Sequence, residues 1–152
     1  MVTLRPYRPS DFTRLVEIDQ ACFGEGIAYD EEQMSYFLVL PSSIALVVEE
    51  KGSIRGFIIA DRFRPRRAKH DMGRIITIDV VKESQGSGVG TLLLKSAEAE
   101  LKQAGCDYIS LEVAVDNERA LRFYKAHGYS VLKTLPRYYQ GSMDGLLMGK
   151  SL

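Results

Sequence analysis

Cysteine and histidine are both scarce in this chain, with two of each. Cys22 and Cys106 have no second cysteine pair and no histidine at ligand spacing, which argues against a zinc site or a disulfide framework; both read as packing residues. Net charge is missing as well. Twenty basic and twenty acidic side chains cancel, so no global field draws the protein to nucleic acid or a membrane, and only local clusters can be argued. Long apolar runs are absent: Phe37 to Leu40 and Ile44 to Val48 fall far short of a spanning helix, and the opening Leu4-Arg5-Pro6 does not read as a signal peptide. A soluble, cytoplasmic protein with no metal, no membrane partner and no nucleic-acid partner is expected. The sequence shows no internal repeat and no low-complexity linker. Its 152 residues, 45% hydrophobic, suit one domain over 1–152 and leave no length for a second of ordinary size.

What is present is periodicity. Val2 to Arg8 reads as a strand ended by Pro9. Ser10 or Asp11 then caps a helix whose Phe12, Leu15, Val16, Ile18 and Phe23 form one buried face, up to the Gly24-Glu25-Gly26 break. Asp30 starts a short second helix that Pro41 ends. Ser43 to Glu49 and Ile54 to Asp61 are strand-like, joined by Glu50-Lys51-Gly52-Ser53, a hairpin signal. A basic tract, Arg62 to His70, precedes a strand from Gly73 to Val81. A helix then runs to Gln103 with Gly105 as its C-terminal cap, Tyr108 to Val115 is a strand, and Asn117 to His127 is a helix closed by Gly128. Tyr129 to Leu135 and Met143 to Lys150 form a last strand pair. The order β-α-α-β-β-β-α-β-α-β-β predicts an α/β (α+β) chain with a single mixed, mostly antiparallel sheet flanked by helices.

Three glycines spaced two apart, Gly86, Gly88 and Gly90, stand between the strand at Val81 and the helix after it. The first four N–H groups of a helix lack intrahelical partners and the helix dipole places about half a positive charge there, so an anion is stabilised. Glycines accept φ > 0 and lack a Cβ, which lets several N–H groups converge on phosphate oxygens. A Walker loop needs Gly-x4-Gly-Lys-Ser/Thr, but Thr91 follows Gly90 and the next lysine is Lys95. A Rossmann fingerprint needs Gly-x-Gly-x-x-Gly, whose third glycine would fall on Thr91. The pattern that fits is Gln/Arg-x-x-Gly-x-Gly, as Gln85-Gly86-Ser87-Gly88-Val89-Gly90. A glycine-rich turn without a ligand is the bland alternative.

That hexapeptide, with the strand before it, the helix after it, the strand ISLEVAV and the segment DNERALRFYKAHGY, resembles the GNAT superfamily of acyl-CoA-dependent N-acetyltransferases. The last segment is similar to the family signature Asn-x-x-Ala-x-x-x-Tyr-x-x-x-Gly-Phe/Tyr at Asn117, Ala120, Tyr124, Gly128 and Tyr129. The resemblance implies the GNAT acyl-CoA N-acyltransferase fold and acetyl-CoA as cosubstrate. It implies that Gln85, Gly86, Ser87, Gly88, Val89, Gly90 and Thr91 take the coenzyme A diphosphate. It further implies that the preceding strand splays from its neighbour, so that Ile78, Val80 and Val81 hold the pantetheine arm and thioester carbonyl, with the oxyanion donor near Val80 and Val81. Asn117 is then expected to orient the pantetheine arm or the helix start, and Tyr124 to act as general acid at the sulfur.

Acetyl transfer to an amine needs a neutral amine, a place for the oxyanion and a proton for the departing thiolate. In Ile109 to Val115 the large apolar side chains alternate, so Glu112 points to the opposite face with Ser110 and Ala114. A carboxylate in apolar surroundings tends to have a raised pKa and could accept an ammonium proton; the alternative is an exposed or ion-paired residue. Leu111-Glu112-Val113 resembles the Leu-Glu-Val of the branch that acetylates ribosomal-protein N-termini, where this glutamate is the proposed general base. Tyr124 shares a helix face with Asn117 and is equally readable as core, and Asn117 as an N-cap. Neither cysteine has an activating base nearby in sequence, so direct attack by the amine is expected rather than a ping-pong path.

Two tracts describe the acceptor. Phe23 to Glu32, with Phe23 and Tyr29, is acidic and aromatic and corresponds to a loop that lines the acceptor side in relatives; it also reads as a solvated helix start. Pro136-Arg137-Tyr138-Tyr139, followed by Gln140 to Gly145, resembles the Arg-x-Tyr-Tyr hairpin of protein N-terminal acetyltransferases, with Tyr138 and Tyr139 against the peptide. The pattern of that branch is broken twice: no Pro-Trp stands between the first helices, and Ala114 follows Leu-Glu-Val where an arginine is usual. A protein N-terminal α-amine is the expected acceptor. A small amine, a lysine, or a CoA-binding module without catalysis are the alternatives. A homodimer is compatible with the sequence, and Arg62 to His70 reads as a solvated hairpin turn.

Overall fold

The computed structural model describes residues 1–24, 26–139 and 143–152. Glu25 of the expected acceptor-side loop, and Gln140, Gly141 and Ser142 of the expected hairpin, lie outside the described residues. The elements form in the predicted order: β1 (Thr3–Pro6), α1 (Phe12–Cys22), α2 (Glu31–Val39), β2 (Ile44–Glu50), β3 (Ser53–Phe63), β4 (Met72–Val80), α3 (Val89–Gln103), β5 (Tyr108–Ala114), α4 (Glu118–Ala126), β6 (Ser130–Tyr139) and β7 (Met143–Ser151). One seven-stranded sheet runs β1-β2-β3-β4-β5-β7-β6, antiparallel throughout except where β4 meets β5.

The alternation of apolar residues divides the core in two. Ile58, Ala60, Ile75, Ile109, Leu111 and Val113 face α3 and α4, packing on Leu93, Leu94, Ala97, Leu101 and Tyr124. Val47, Phe57, Ile59 and Val81 face the other way, onto Leu15, Val16, Ile18 and Met34 of α1 and α2. Burial of large aliphatic side chains on both faces, at about 25 cal/mol per Å², is what holds the helices to the sheet.

Local chemistry sets the boundaries. Asp30 accepts from the Gln33 amide at 2.8 Å while the Gln33 side chain accepts from the Asp30 amide at 3.1 Å, a reciprocal cap on α2. Lys51 and Gly52 both have φ > 0 (52° and 77°), the two-residue turn whose twist suits the β2–β3 hairpin. The cap expected at Ser10 or Asp11 takes a different form. A 3₁₀ turn, Pro9–Asp11, precedes α1, and Asp11 turns backward to accept from the Arg8 amide (2.8 Å) and from Arg5 (2.8 and 2.9 Å). Its carboxylate therefore ties β1 to the helix start rather than capping α1, because an arginine fork is the stronger donor. The basic tract begins in the last two residues of β3 and continues as the β3–β4 connection, with Arg62 and Arg64 reaching Asp71 at 3.8 and 2.9 Å.

Two features of β4 matter for the site. Its pairing with β3 slips between Ile59 and Ala60, so Ile76 is an extra residue and the strand changes phase. Its parallel pairing with β5 covers only Gly73 with Ile109 and Arg74 with Ser110. Beyond those pairs the two strands part, and β4 is open on the side where a sheet neighbour would sit.

Candidate active site

The open edge of β4 ends in the glycine loop. Gly86 and Gly88 have φ of 81° and 95°, and a Cβ built on either would meet nothing within 4 Å. These glycines are therefore required by backbone conformation rather than by crowding, and the space beside them is clear. Gly88 is the N-cap of α3, with no side chain capping it. Among the described residues, no acceptor is bonded to the N–H groups of Gly86, Gly88, Val89, Gly90 or Thr91. Five unbonded amides at the start of a fifteen-residue helix fit a diphosphate. Gly90 packs close, its Cβ position 3.4 Å from the Phe123 ring of α4. Gln85 bridges the loop to its surroundings, donating to Val80 O at 3.2 Å and accepting from Arg119.

On β4 the amides divide. Val81 N–H donates to Arg55 O at 2.9 Å, so it is committed to the sheet and does not fit the oxyanion role expected near Val80 and Val81. Alternation along the strand turns the Ile78 and Val80 amides toward the open side. The Val80 carbonyl also accepts from the Cys22 thiol at 3.5 Å. Burial, with Asp79 and Asp19 nearby, pushes that thiol up to about 11, which makes it a poor nucleophile.

From β5, Glu112 projects on the α1 and α2 side of the sheet. It is exposed. The desolvation read from its apolar neighbours in sequence is therefore not what surrounds it. Its partner comes from β6: the Tyr138 hydroxyl donates to Glu112 Oε2 at 2.5 Å. Tyr138 and Tyr139 stack edge to face at 5.0 Å between centroids. Burial raises the Tyr138 phenol, and its hydrogen bond to Glu112 adds to the rise. Burial likewise takes Tyr139 and Tyr29 up to about 12, with the Glu112 charge contributing to both. Three tyrosines from two segments thus share one carboxylate's field. The Tyr29 hydroxyl donates to Ile76 O at 3.4 Å, at the bulge in the open strand. Phe23 is half-buried and ends α1, its amide bonded to Asp19 O at 3.0 Å.

From the other side of the sheet, α4 supplies the remaining residues. Asn117 caps the helix, its Oδ1 accepting from the Ala120 amide at 3.2 Å. Tyr124 is 6% exposed within the α3/α4 core. Burial raises its phenol, and Asp79 and Tyr139 add to the rise. The core reading of Tyr124 is the one its packing shows. Among the described residues, no group of His, Cys, Asp and Glu could hold a metal, and no helix is long and apolar enough to cross a membrane.

The model of the acetyltransferase (GNAT) family matches residues 12–129. The chain belongs to that family. An uncharacterized N-acetyltransferase of Methanocaldococcus jannaschii is 34% identical over 148 residues, 97% of this chain and 90% of that protein. N-alpha-acetyltransferase 30 of Schizosaccharomyces pombe is 29% identical, covering 95% of this chain and 94% of its own length. The crystal structure of Ard1 from Thermoplasma volcanium matches with a TM-score of 0.87 at 27% identity, over 99% of this chain and 97% of that one. The splayed β4, the loop before α3 and the β6–β7 hairpin are thus parts of a GNAT acetyltransferase.

One pair of residues in this acetyltransferase is not found by sequence reasoning. Asp19 on α1 and Asp79 on β4 are both buried, at 0% and 1% exposure. In sequence Asp79 reads as one more polar residue in an alternating strand, and nothing in the sequence marks its contact with a helix sixty positions earlier.

Proposed function

We propose that the protein transfers an acetyl group from acetyl-CoA to the α-amine of a protein N-terminus by direct attack. The observation that carries the proposal is the parting of β4 from β5 after two residue pairs, with unbonded loop amides at its end and the Glu112–Tyr138 pair on its acceptor side. Support for a peptide acceptor comes from the N-alpha-acetyltransferase of Schizosaccharomyces pombe, similar over nearly the whole length of both chains. The structure of Arabidopsis thaliana Naa50, which has the same fold, holds a bisubstrate analogue.

In this reading Gly86, Gly88, Val89, Gly90 and Thr91 hold the coenzyme A diphosphate through their amides. The Val80 amide, facing the opening, stabilises negative charge on the thioester oxygen. Tyr138 and Tyr139 flank the peptide backbone, with Tyr29 and Phe23 opposite. Glu112, oriented by Tyr138, takes a proton from the acceptor ammonium, and the neutral amine then forms the N–C bond; Tyr124 gives its proton to the sulfur as the C–S bond breaks and recovers one from the nitrogen of the collapsing intermediate. The raised Tyr124 phenol remains protonated at neutral pH, as an acid must.

The test is release of CoA thiol from acetyl-CoA against N-terminal peptides, lysine peptides, polyamines and amino sugars. Release with N-terminal peptides alone is the expected result. Release with small amines alone overturns the acceptor, and silence across the panel with CoA still bound overturns catalysis.

A further inference from the structure

The Asp19–Asp79 pair has no part in the mechanism above, yet it lies directly behind the open strand. Thr77, Asp79 and Val81 share the face covered by α1, a consequence of the phase change at Ile76. The Thr77 hydroxyl is 2.5 Å from Asp79 Oδ1 and 3.4 Å from Asp19 Oδ1, and its single proton goes to the nearer. Asp19 Oδ2 accepts from the Tyr29 amide at 2.7 Å. Asp79 Oδ2 has no partner among the described residues. With both carboxyls ionised, two donors would serve four buried oxygens, and two like charges would stand together away from water. A proton on Asp79, donated to Asp19, removes both faults. Burial and the neighbouring Asp19 act in that direction, raising Asp79 well above the usual carboxylate range. Among the described residues, Cys22 on α1, Tyr29 in the loop and Tyr124 on α4 feel the Asp79 charge, and Arg74 on β4 is a cation that acts on Tyr29.

We propose that Asp19 and protonated Asp79 are positioning residues for the acceptor, fixing Tyr29 and the loop after α1 against the open edge of β4. The inference rests on reading that opening as the acceptor site. Its route is short: Asp79 beside Asp19 with the Thr77 hydroxyl between them, Asp19 to the Tyr29 amide, and the Tyr29 hydroxyl to Ile76 O. Tyr29 is further held by the Phe37 ring at 5.1 Å. Neither aspartate touches the peptide, so the pair acts on peptide KM and leaves the diphosphate loop alone. The pH sign follows. As pH rises through the raised Asp79 value, the pair gains a second negative charge, Tyr29 loosens and peptide KM rises; acidification has no such effect.

Asp79→Ala removes the donor to Asp19, and Asp79→Asn restores an N–H that cannot ionise. The Ala variant is expected to raise peptide KM about tenfold, with KM for acetyl-CoA within about twofold, and to speed hydrogen exchange of the Tyr29 amide. The Asn variant is expected to return peptide KM to within about threefold of the parent and to abolish its alkaline rise. An Asn variant as impaired as Ala, an Ala variant indistinguishable from the parent, or an unchanged Tyr29 amide overturns the proposal. Should the Ala variant not fold, thermal unfolding of parent and Asn variant from pH 5 to 9 decides: divergence toward alkaline pH supports the shared proton, and parallel curves overturn it. If no peptide is acetylated at all, the acceptor reading fails alone, while exchange and unfolding still judge the pair.

Discussion

Replacing Glu112 with glutamine keeps an oxygen for the Tyr138 hydroxyl but leaves nothing able to take a proton. An N-terminal α-amine titrates near pH 8, so at pH 7 about one molecule in ten is neutral and able to attack. A proton acceptor beside the amine therefore has about tenfold to supply at pH 7, about a hundredfold at pH 6 and almost nothing at pH 9. Exposure of Glu112 sets the scale: its charge faces water and does not act through a desolvated cavity. The Tyr138 phenol is raised by burial and by its bond to Glu112, so it stays a donor across this range and adds no titration of its own. Glu112→Gln is accordingly expected to lose about tenfold in kcat/KM for peptide at pH 7, with the gap closing by pH 9. Following CoA thiol release with an N-terminal peptide from pH 6 to 9 measures it. A deficit that is constant across pH, or absent at pH 6, refutes the reasoning.

Tyr124→Phe tests the acid: a thiol of pKa about 8.5 leaves tolerably unaided, so kcat should fall about ten- to hundredfold rather than vanish. Because burial holds the Tyr124 phenol up, the parent kcat profile should show no alkaline limb from this group below about pH 10; a limb near pH 8 would remove Tyr124 from the role. Gly88→Ala tests the loop: nothing lies within 4 Å of the added Cβ, but φ is 95°, so the cost is backbone strain of about 1–2 kcal/mol. Calorimetry should register it as a five- to thirtyfold loss of coenzyme A affinity, about the same energy; unchanged affinity would mean that the loop conformation is not what binds.

Much of this was legible because the signals are local. The glycines at 86 and 88 need φ > 0, Gly105 and Gly128 close helices with φ of 100° and 92°, and Lys51-Gly52 makes the hairpin turn. Each is visible within a few residues. The Glu112 environment is not local in this sense: its strand is apolar and leaves a desolvated or an exposed carboxylate equally open, and only the folded chain shows it exposed. Asp79 is not legible at all, a polar residue in an alternating strand that a bulge and a crossing helix take out of water. Val81 was grouped with Val80 until the β3 carbonyl of Arg55 claimed its amide.

The central claim is that the main-chain amides of Gly86, Gly88, Val89, Gly90 and Thr91 grip phosphate, the Ser87 amide being bonded to Ser84 O. Calorimetry with coenzyme A, 4′-phosphopantetheine and pantetheine tests it directly. Phosphopantetheine should bind at least about tenfold tighter than pantetheine, and coenzyme A tighter again, since each phosphate adds charge-assisted hydrogen bonds. Equal affinity for pantetheine and its phosphate would contradict the account.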